Sequence, residues 1–350
     1  MSSTETLFAA DAAEATGTAK TRFPFVTVVV PTYNRAKTLP HVFASLAKQN
    51  YPADRMELIV VDNSSSDDTE DVVERWKQVL PFRARFYRKD NKGPAASRNY
   101  GAARAEGEII AFTDSDCILS ADWIRNAAEA FRDGVGLVCG PFLPVPRENE
   151  GLLVAQQSPI TNDRGCYPTA NLFIRKVAFD QVGGFDERYG LYPWGELIAG
   201  EDADVAWRVK RSGWQSEFVP TVVVCHLSTP ISLKRMLLRP VVVQIIPALL
   251  PKIPELRDTY LWRRYFNGKV DLYFFIALLG VVAALVTHWW LLALAVLPWI
   301  GFHARYLALP AIRSEGLARG LARSLIYMYL QAGCAIVLVF ASIRYRRLVL

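Results

Sequence analysis

The sequence predicts an α/β protein in which a mostly parallel sheet flanked by helices is followed by C-terminal transmembrane helices. Up to about residue 228, short apolar runs rich in β-branched residues alternate with segments that repeat apolar residues at helical spacing. Such a β-α-β-α order is typical of a parallel sheet covered by helices on both faces. After about Lys269 the composition changes, and uncharged apolar runs are long enough to cross a bilayer.

The first strand is predicted over 25–30, where the run FVTVVV is typical of a fully buried parallel strand. The segment 39–46 then repeats apolar residues at helical spacing, which indicates the first helix. The remaining elements are predicted in order: a strand at 57–61, a helix at 72–80, a strand at 84–88, a helix at 94–105, a strand at 108–112, and a helix after Gly200. Asp62 and Asp114 both follow predicted strands, and ligands bind such sheets where the carboxyl ends of the strands open.

The apolar C-terminal region begins with the run 271–302, which carries no charge after Asp271. One helix of that length would measure roughly 47 Å, longer than a hydrocarbon core of roughly 30 Å. We therefore expect either two spans joined near 287–288 or one strongly tilted span, and the run 324–343 is long enough for another. The sequence does not decide on which side of the membrane the C-terminus lies, because either number of spans places arginines outside, against the preference of positive charge for the cytoplasm. The arginines outside would be Arg344, Arg346 and Arg347 for three spans, or Arg305, Arg313, Arg319 and Arg323 for two.

Four regions are predicted along the chain. Residues 1–22 form a flexible tail without the basic start and apolar run of a secretory signal, and residues 23–232 form the α/β domain. Residues 233–269 form a basic juxtamembrane or interfacial segment, and residues 270–350 form a membrane region of two or three spans. The positive charge of the third region places the α/β domain in the cytoplasm, so we predict a multi-pass protein of the inner (cell) membrane. The short, proline-bounded run 240–251 is expected to lie in the interface.

Composition and motifs exclude several classes of function. The net charge of +6 and the pI of about 9.0 suit nucleic acid, anionic lipid or a phosphorylated ligand without choosing among them. The five cysteines form no CxxC pair, which indicates a reducing compartment and neither a disulfide framework nor a zinc site. The first strand is not followed by GxGxxG, and the chain contains no P-loop, HExxH or GxSxG motif.

Two carboxylates follow the predicted strand at 108–112, in the sequence FTDSDC at 112–117. Side chains two residues apart in a strand point to the same side, with Cα atoms roughly 7 Å apart. Asp114 and Asp116 should therefore repel each other unless a positive group joins them. This repulsion would be relieved by a divalent cation, by a Lys or Arg side chain, or by water in an open loop. An Asp-Ser-Asp turn is also common without a metal.

Six segments in order carry a resemblance to a known family: VVVPTYNR (28–35), LIVVDNSSSDDT (58–69), NKGPAASRNYGA (91–102), AFTDSDC (111–117), GGFDE (183–187) and GEDADVAWRVKRSGW (200–214). Over about residues 25–228, the chain resembles the inverting family 2 glycosyltransferases, which have the Rossmann-like GT-A fold. The resemblance implies a nucleotide-diphosphate sugar donor, with UDP or GDP favoured, and Mn²⁺ or Mg²⁺ held by the DSD triplet. The chemistry agrees, because a hard cation on carboxylate oxygens neutralises the negative charge of a leaving diphosphate.

The resemblance also implies roles for individual residues. Tyr33 would lie near the base, Asp62 would accept a hydrogen bond from it, and Asp114 would reach the ribose or the sugar. Asp62 has a second possible role in capping the helix that follows, a role that Ser64 and Asp67 could fill equally well. The full set implied to bind the donor is Pro31, Thr32, Tyr33, Arg35, Asp62, Gly93, Arg98, Asp114 and Ser115. The implied metal ligands are Asp116, Asp114 and His226, although a lone histidine after an apolar strand is more often structural.

The pair Glu201 and Asp202 matches the catalytic acids of the family, with Asp202 as the general base. The alternative is that both acids only complement the dipole of a helix that begins there. We expect the helix N-terminus to hold Asp202 rigidly and to lower its pKa. Tyr192 and Trp194 are predicted to form an apolar platform for sugar or lipid, with core packing as the alternative.

Two sequence differences from related glycosyltransferase classes narrow the predicted activity. The chain lacks the QxxRW motif of processive polysaccharide synthases, which favours transfer of a single sugar. Cys117 and Ile118 follow DSD where polyprenyl-phosphate sugar synthases usually continue with Leu-Gln. We predict a metal-dependent glycosyltransferase that contacts membrane lipids, binds no nucleic acid and moves one sugar to a hydroxyl of a glycan or lipid-linked glycan. The alternatives are a polyprenyl-phosphate sugar synthase, which would not need Asp202, and a non-catalytic nucleotide-sugar-binding membrane protein.

Overall fold

The structure is a computed structural model, and it describes residues 23–145, 152–153, 158–189, 200–228, 230–288 and 291–350. The predicted tail at 1–22 and the predicted platform residues Tyr192 and Trp194 lie outside these ranges.

Ten strands occur within the described residues: β1 Val26–Thr32, β2 Met56–Asp62, β3 Arg83–Arg88, β4 Ile109–Phe112, β5 Cys117–Leu119, β6 Val135–Cys139, β7 Phe142–Val145, β8 Leu172–Arg175, β9 Gln215–Phe218 and β10 Val224–Leu227. Seven of them form the main sheet in the order β3-β2-β1-β4-β8-β6-β9. The sheet is mostly parallel, because only β8 runs antiparallel to its neighbours β4 and β6. The other three strands form a small sheet in the order β5-β10-β7.

Thirteen α-helices occur in the same ranges: α1 Leu39–Ala47, α2 Thr69–Lys77, α3 Pro94–Ala102, α4 Trp123–Ala130, α5 Lys176–Gln181, α6 Glu201–Arg211, α7 Leu233–Leu238, α8 Ile245–Leu249, α9 Leu256–Thr259, α10 Lys269–Val286, α11 Leu291–His303, α12 Leu309–Glu315 and α13 Leu317–Tyr345. The periodicity of the sequence therefore predicts β1 to β4, α1 to α3 and α6 correctly. The mixed α/β class with a mostly parallel sheet is confirmed.

The core has two layers, one on each face of the main sheet. Along β1, Val28 and Val30 pack on one face while Val29 packs on the other, and all three side chains are fully buried. This division follows from the two-residue period of a strand. Helices cover both faces, so the strand has no polar side, which explains its continuous apolar sequence.

Part of the segment predicted to lie at the membrane interface belongs to this core. Ile246, Leu249 and Leu250 are buried in the same cluster as Ala203 and Val205 of α6. The start of α6 fits closely against α8, because a Cβ on Gly200 would come within 2.9 Å of the Ile245 side chain. The run 240–251 thus supports the helix that carries the predicted catalytic acids.

The apolar C-terminal region forms several helices. α10 ends at Val286 and α11 begins at Leu291, so the prediction of one long tilted helix over 271–302 is wrong. Among the described residues, α13 is the helix that is long and apolar enough to cross a membrane, and a shorter apolar stretch covers Asp271–Ala284. α11 has 13 residues and continues through a π-helical turn at Ala304–Ala308 into α12, so the helical segment from Leu291 to Glu315 is roughly 37 Å long.

Candidate functional site

The predicted site residues collect at the carboxyl edge of the central strands. Thr32 at the end of β1 pairs in register with Asp62 at the end of β2, and β4 ends beside β1 just before the DSD triplet. α3 and α6 both begin at this edge, with Gly93 and Gly200 as their N-caps. Gly93 adopts φ +86° and Gly200 φ +130°, conformations that favour glycine.

The loops after β1 and β2 are fixed to each other by hydrogen bonds. The Asn34 backbone N–H donates to Ser65 Oγ at 2.8 Å, and the Ser66 N–H donates to Asn34 Oδ1 at 2.7 Å. The Arg35 N–H donates to Thr69 Oγ1 at 3.0 Å. Tyr33 projects from this paired structure with 49% of its surface exposed. An exposed ring on a rigid double loop can stack on a planar ligand such as a nucleotide base.

Asp62 lies beneath these loops and is fully buried. Its carboxylate accepts hydrogen bonds from the Ser65 backbone N–H, at 3.1 Å, and from Ser65 Oγ. Arg88 Nε lies 3.7 Å from the same carboxylate. Asp62 therefore caps the turn at Ser65, and its contact with a base stays a prediction that requires this turn to open.

Asp116 contacts two basic side chains. Its Oδ1 lies 2.9 Å from His226 Nε2, and its Oδ2 lies 3.4 Å from Arg35 Nη1. Burial works to lower the pKa of His226, but the hydrogen bond and charge of Asp116 raise it above its ordinary value. Burial works to raise the pKa of Asp116, but His226 and Arg35 hold it below its ordinary value. Asp116 is therefore a charged carboxylate with His226 and Arg35 as its partners.

Asp114 faces a different cation. Its Oδ1 accepts a hydrogen bond from Arg98 Nη2 at 2.9 Å, while Arg98 Nη1 donates to Glu201 Oε1 at 2.9 Å. Arg98 is 5% exposed, so both ion pairs are shielded from water. One guanidinium thus connects the DSD triplet to the start of α6. Ser115, between the two aspartates, is also buried.

Glu201 and Asp202 differ in the number of hydrogen bonds that their carboxylates accept. The Glu201 carboxylate accepts from Arg98 and, at 3.0 Å, from the Gly200 N–H. Asp202 accepts from the Ala203 N–H at 2.8 Å. Burial, followed by the charge of Glu201, raises the pKa of Asp202 to about 7. The expectation that the helix N-terminus would lower this pKa is wrong, because these two effects outweigh the Ala203 hydrogen bond.

The residues around Asp116 fit a divalent cation. Asp116, Cys117 and His226 each place a ligand atom within 4.8 Å of the other two. A carboxylate oxygen and an imidazole nitrogen suit Mn²⁺, whereas Mg²⁺ prefers oxygen ligands alone. Burial and the charges of Asp114 and Asp116 raise the pKa of the Cys117 thiol well above its ordinary value, so the thiol is a poor ligand. Asp114, a predicted third ligand, binds Arg98 instead.

The structure therefore brings the predicted residues together in two linked groups. Asp116, His226 and Arg35 form one group, and Asp114, Arg98 and Glu201 form the other, with Asp202 beside it. Neither the position of Cys117 beside Asp116 and His226 nor the link that Arg98 makes between Asp114 and Glu201 was predicted from the sequence. Cys117 follows the DSD triplet directly and pairs with His226 between β5 and β10, but only the strand register reveals this.

Comparison with known proteins identifies the family. The profile of glycosyl transferase family 2 matches residues 27–185, and that of glycosyl transferase family group 2 matches residues 109–343. The chain belongs to glycosyl transferase family group 2. Among curated relatives, this glycosyltransferase is 29% identical over 216 residues to glycosyltransferase AglE of Haloferax volcanii, covering 59% of this chain and 68% of AglE.

A second relative is the poly(ribitol-phosphate) beta-N-acetylglucosaminyltransferase TarS of Staphylococcus aureus. It is 38% identical over 106 residues, which are 30% of this glycosyltransferase and 18% of TarS. Among solved structures, a Pyrobaculum calidifontis mannosyltransferase in complex with GDP-Man and Mn²⁺ superposes with a TM-score of 0.55 at 22% identity, covering 93% of this chain and 88% of that one. This similarity shows that the glycosyltransferase has a GT-A-like fold.

Proposed function

We propose that the protein is a membrane-anchored, metal-dependent, inverting glycosyltransferase that moves one sugar from a nucleotide-diphosphate sugar to a hydroxyl of a glycan or lipid-linked glycan. The arrangement at the carboxyl edge carries this proposal. Asp116 and His226, which suit Mn²⁺, lie on one side of Asp114. Arg98 links Asp114 to Glu201, whose neighbour Asp202 is a carboxylate with a pKa of about 7.

The donor would lie on the paired loops. Tyr33 would stack on the base, which UDP or GDP would supply, and Arg35 would turn from Asp116 toward the phosphates. Asp116 and His226 would hold the cation, with Asp114 completing the set once it parts from Arg98. When bound, the cation would neutralise the negative charge of the leaving diphosphate. The mannosyltransferase with the same fold was solved with GDP-Man and Mn²⁺, which agrees with this choice of donor class and metal.

The acceptor would lie on the side of α6. Asp202 would accept the proton of the attacking hydroxyl as the new bond forms, on the face of the sugar opposite the leaving group. A base is most effective when its pKa lies near the working pH, and a pKa of about 7 would suit Asp202 to this role at neutral pH. Glu201, held by Arg98 and Gly200, would act through its charge on Asp202 and would not itself take the proton.

The membrane anchor would be α13, with the other apolar C-terminal helices packed beside it. α13 has 29 residues and is therefore roughly 44 Å long, enough to cross a bilayer even when tilted. The basic segment between Ser232 and α10 would keep the GT-A-like domain on the cytoplasmic face of the cell membrane.

The pH dependence of transfer tests the assignment of the base. Asp202 is protonated below a pKa of about 7 and charged above it, and only the charged form can accept a proton. We expect kcat/KM to fall about tenfold per pH unit below pH 7 and to level off above it. Glu201→Gln removes the negative charge that raises this pKa, so the acid limb should move to lower pH. The measurement is kcat/KM from pH 5 to 9 with a membrane-extract acceptor.

Asp204→Asn is the matched control, because Asp204 lies on the same helix but pairs with Arg208 at 2.8 Å. Its acid limb should stay where it is in the unmodified protein. A profile that is flat from pH 5 to 9 in all three proteins would remove Asp202 as the base. The polyprenyl-phosphate acceptor, already anionic, would then be the better assignment.

A further inference from the structure

The last residues of the chain return to the linker between the GT-A-like domain and the apolar helices. The Leu350 N–H donates to Tyr265 O at 2.7 Å, and the Asn267 N–H donates to Leu350 O at 2.9 Å. Arg257 Nη1 donates to Leu348 O at 3.1 Å. Two segments about eighty residues apart in sequence are therefore joined by backbone hydrogen bonds.

The turn after α13 is held by hydrogen bonds within the C-terminal segment itself. Ser342 Oγ donates to Val349 O at 2.7 Å and accepts from the Val349 N–H at 2.9 Å. Val349 is fully buried, and it belongs with Leu338 to the core cluster that contains Val29 of β1. The C-terminal end of α13 is therefore part of a buried apolar cluster that also includes linker residues such as Leu256 and Leu261 and residues of the GT-A-like domain.

Exposed basic side chains of both segments lie at this junction. We call them the basic patch: Arg263, Arg264, Lys269, Arg344, Arg346 and Arg347, all of them exposed. Arg264 pairs with Asp258, and within the described ranges the other five form no ion pair. The patch thus keeps a positive excess that its own surroundings do not neutralise.

Aromatic and apolar side chains stand among these cations. The Arg263 guanidinium lies 5.0 Å from the centre of the Trp262 ring, and that of Arg344 lies 5.6 Å from the Tyr345 ring. Ile343 and Leu348 are 70% and 51% exposed. Tryptophan, tyrosine and arginine beside exposed aliphatic groups are the composition of a membrane–water interface. The patch also continues directly into α13, the candidate span.

We propose that the basic patch binds the anionic headgroups of the leaflet that faces the GT-A-like domain. This inference rests on the proposed membrane anchoring by α13. It also places the C-terminus on the cytoplasmic side, which the sequence left open, because Arg344, Arg346 and Arg347 then lie beside Arg263 and Arg264. Each positive residue that lies within about a Debye length of an anionic surface adds its own attraction to that surface. A nucleic acid would not account for the exposed aliphatic groups.

The test is the lipid composition around the inserted full-length protein. The chain is reconstituted in vesicles of equimolar phosphatidylglycerol and phosphatidylcholine and extracted into polymer-bounded discs, and the lipids that copurify are quantified. We expect phosphatidylglycerol to be enriched about fivefold over phosphatidylcholine, the factor that corresponds to ~1 kcal/mol per basic residue at an anionic surface. The triple variant Arg344→Gln, Arg346→Gln and Arg347→Gln keeps three of the six cations, so the enrichment should fall to about twofold.

A triple variant of exposed arginines on the GT-A-like domain, Arg55→Gln, Arg83→Gln and Arg132→Gln, is the matched control for lost charge and should keep the enrichment. Equal amounts of the two lipids around an inserted unmodified protein would contradict headgroup binding by the basic patch but not membrane anchoring by α13. A protein that does not enter the vesicles would overturn the anchor and the patch together. Binding of glycerol 3-phosphate in detergent as tight as that of the lipid would overturn the lipid as the ligand.

Discussion

Asp202→Asn is expected to lower kcat by about 10²–10⁴, the usual contribution of a general base. Asparagine keeps the size of the side chain and an oxygen that can accept from the Ala203 N–H, but it cannot take a proton from the acceptor hydroxyl. The Kd of the donor should change little, because Asp202 is expected to face the acceptor. The measurements are kcat with a membrane-extract acceptor and donor Kd by calorimetry.

Glu201→Gln separates a catalytic role from a general disturbance of α6. Glu201 occupies the neighbouring position but is bound by Arg98 and Gly200, so its replacement should lower kcat less than the replacement of Asp202. A kcat for Asp202→Asn within threefold of the unmodified protein would contradict the base assignment. A larger loss for Glu201→Gln than for Asp202→Asn would reverse the roles of the two acids.

Asp116→Asn and His226→Gln are each expected to abolish the Mn²⁺-dependent part of nucleotide binding. The two side chains stand 2.9 Å apart and supply the oxygen and nitrogen atoms best suited to the ion. Loss of groups that only support metal ligands already costs 10–100-fold in metal affinity, so loss of a ligand should weaken Mn²⁺ binding by at least about 100-fold. The measurement is the Kd of UDP and GDP with Mn²⁺ and with EDTA.

Exposed residues of the same types provide the controls. His41→Gln and Asp133→Asn make the same chemical changes on the surface of the GT-A-like domain, and both should keep Mn²⁺-dependent binding. A far-UV spectrum and melting profile in EDTA would show whether each variant is folded. If folded His226→Gln binds nucleotide in Mn²⁺ as the unmodified protein does, His226 is structural, as a lone histidine after an apolar strand often is.

The parts of the fold that the sequence predicts are those set by local periodicity. The run FVTVVV yields β1 because a strand covered on both faces needs apolar residues at every position. The acids after Gly200 mark the start of α6 for the same local reason. The run 240–251 is ambiguous, because an apolar stretch of that length has the same composition whether it packs on α6 or lies in a bilayer.

The candidate site is predictable as a set of positions but not as a set of contacts. Arg98 stands 16 residues from Asp114 and 103 from Glu201, and only the tertiary fold brings the three together. The pKa of Asp202 likewise depends on burial and on a neighbouring charge, which no spacing rule reports. The repulsion expected between Asp114 and Asp116 is therefore relieved by separate basic partners, Arg98 for Asp114 and His226 with Arg35 for Asp116.

The most direct test of a metal-dependent nucleotide-sugar site is the thermal stability of the unmodified protein with a panel of nucleotide diphosphates, with and without Mn²⁺. A ligand at 100 times its Kd should stabilise the folded state by roughly 2.7 kcal/mol. UDP or GDP should raise the melting temperature in Mn²⁺, and EDTA should abolish the shift. No shift with any nucleotide diphosphate in Mn²⁺, or the same shift in EDTA, would contradict a metal-dependent nucleotide-sugar site.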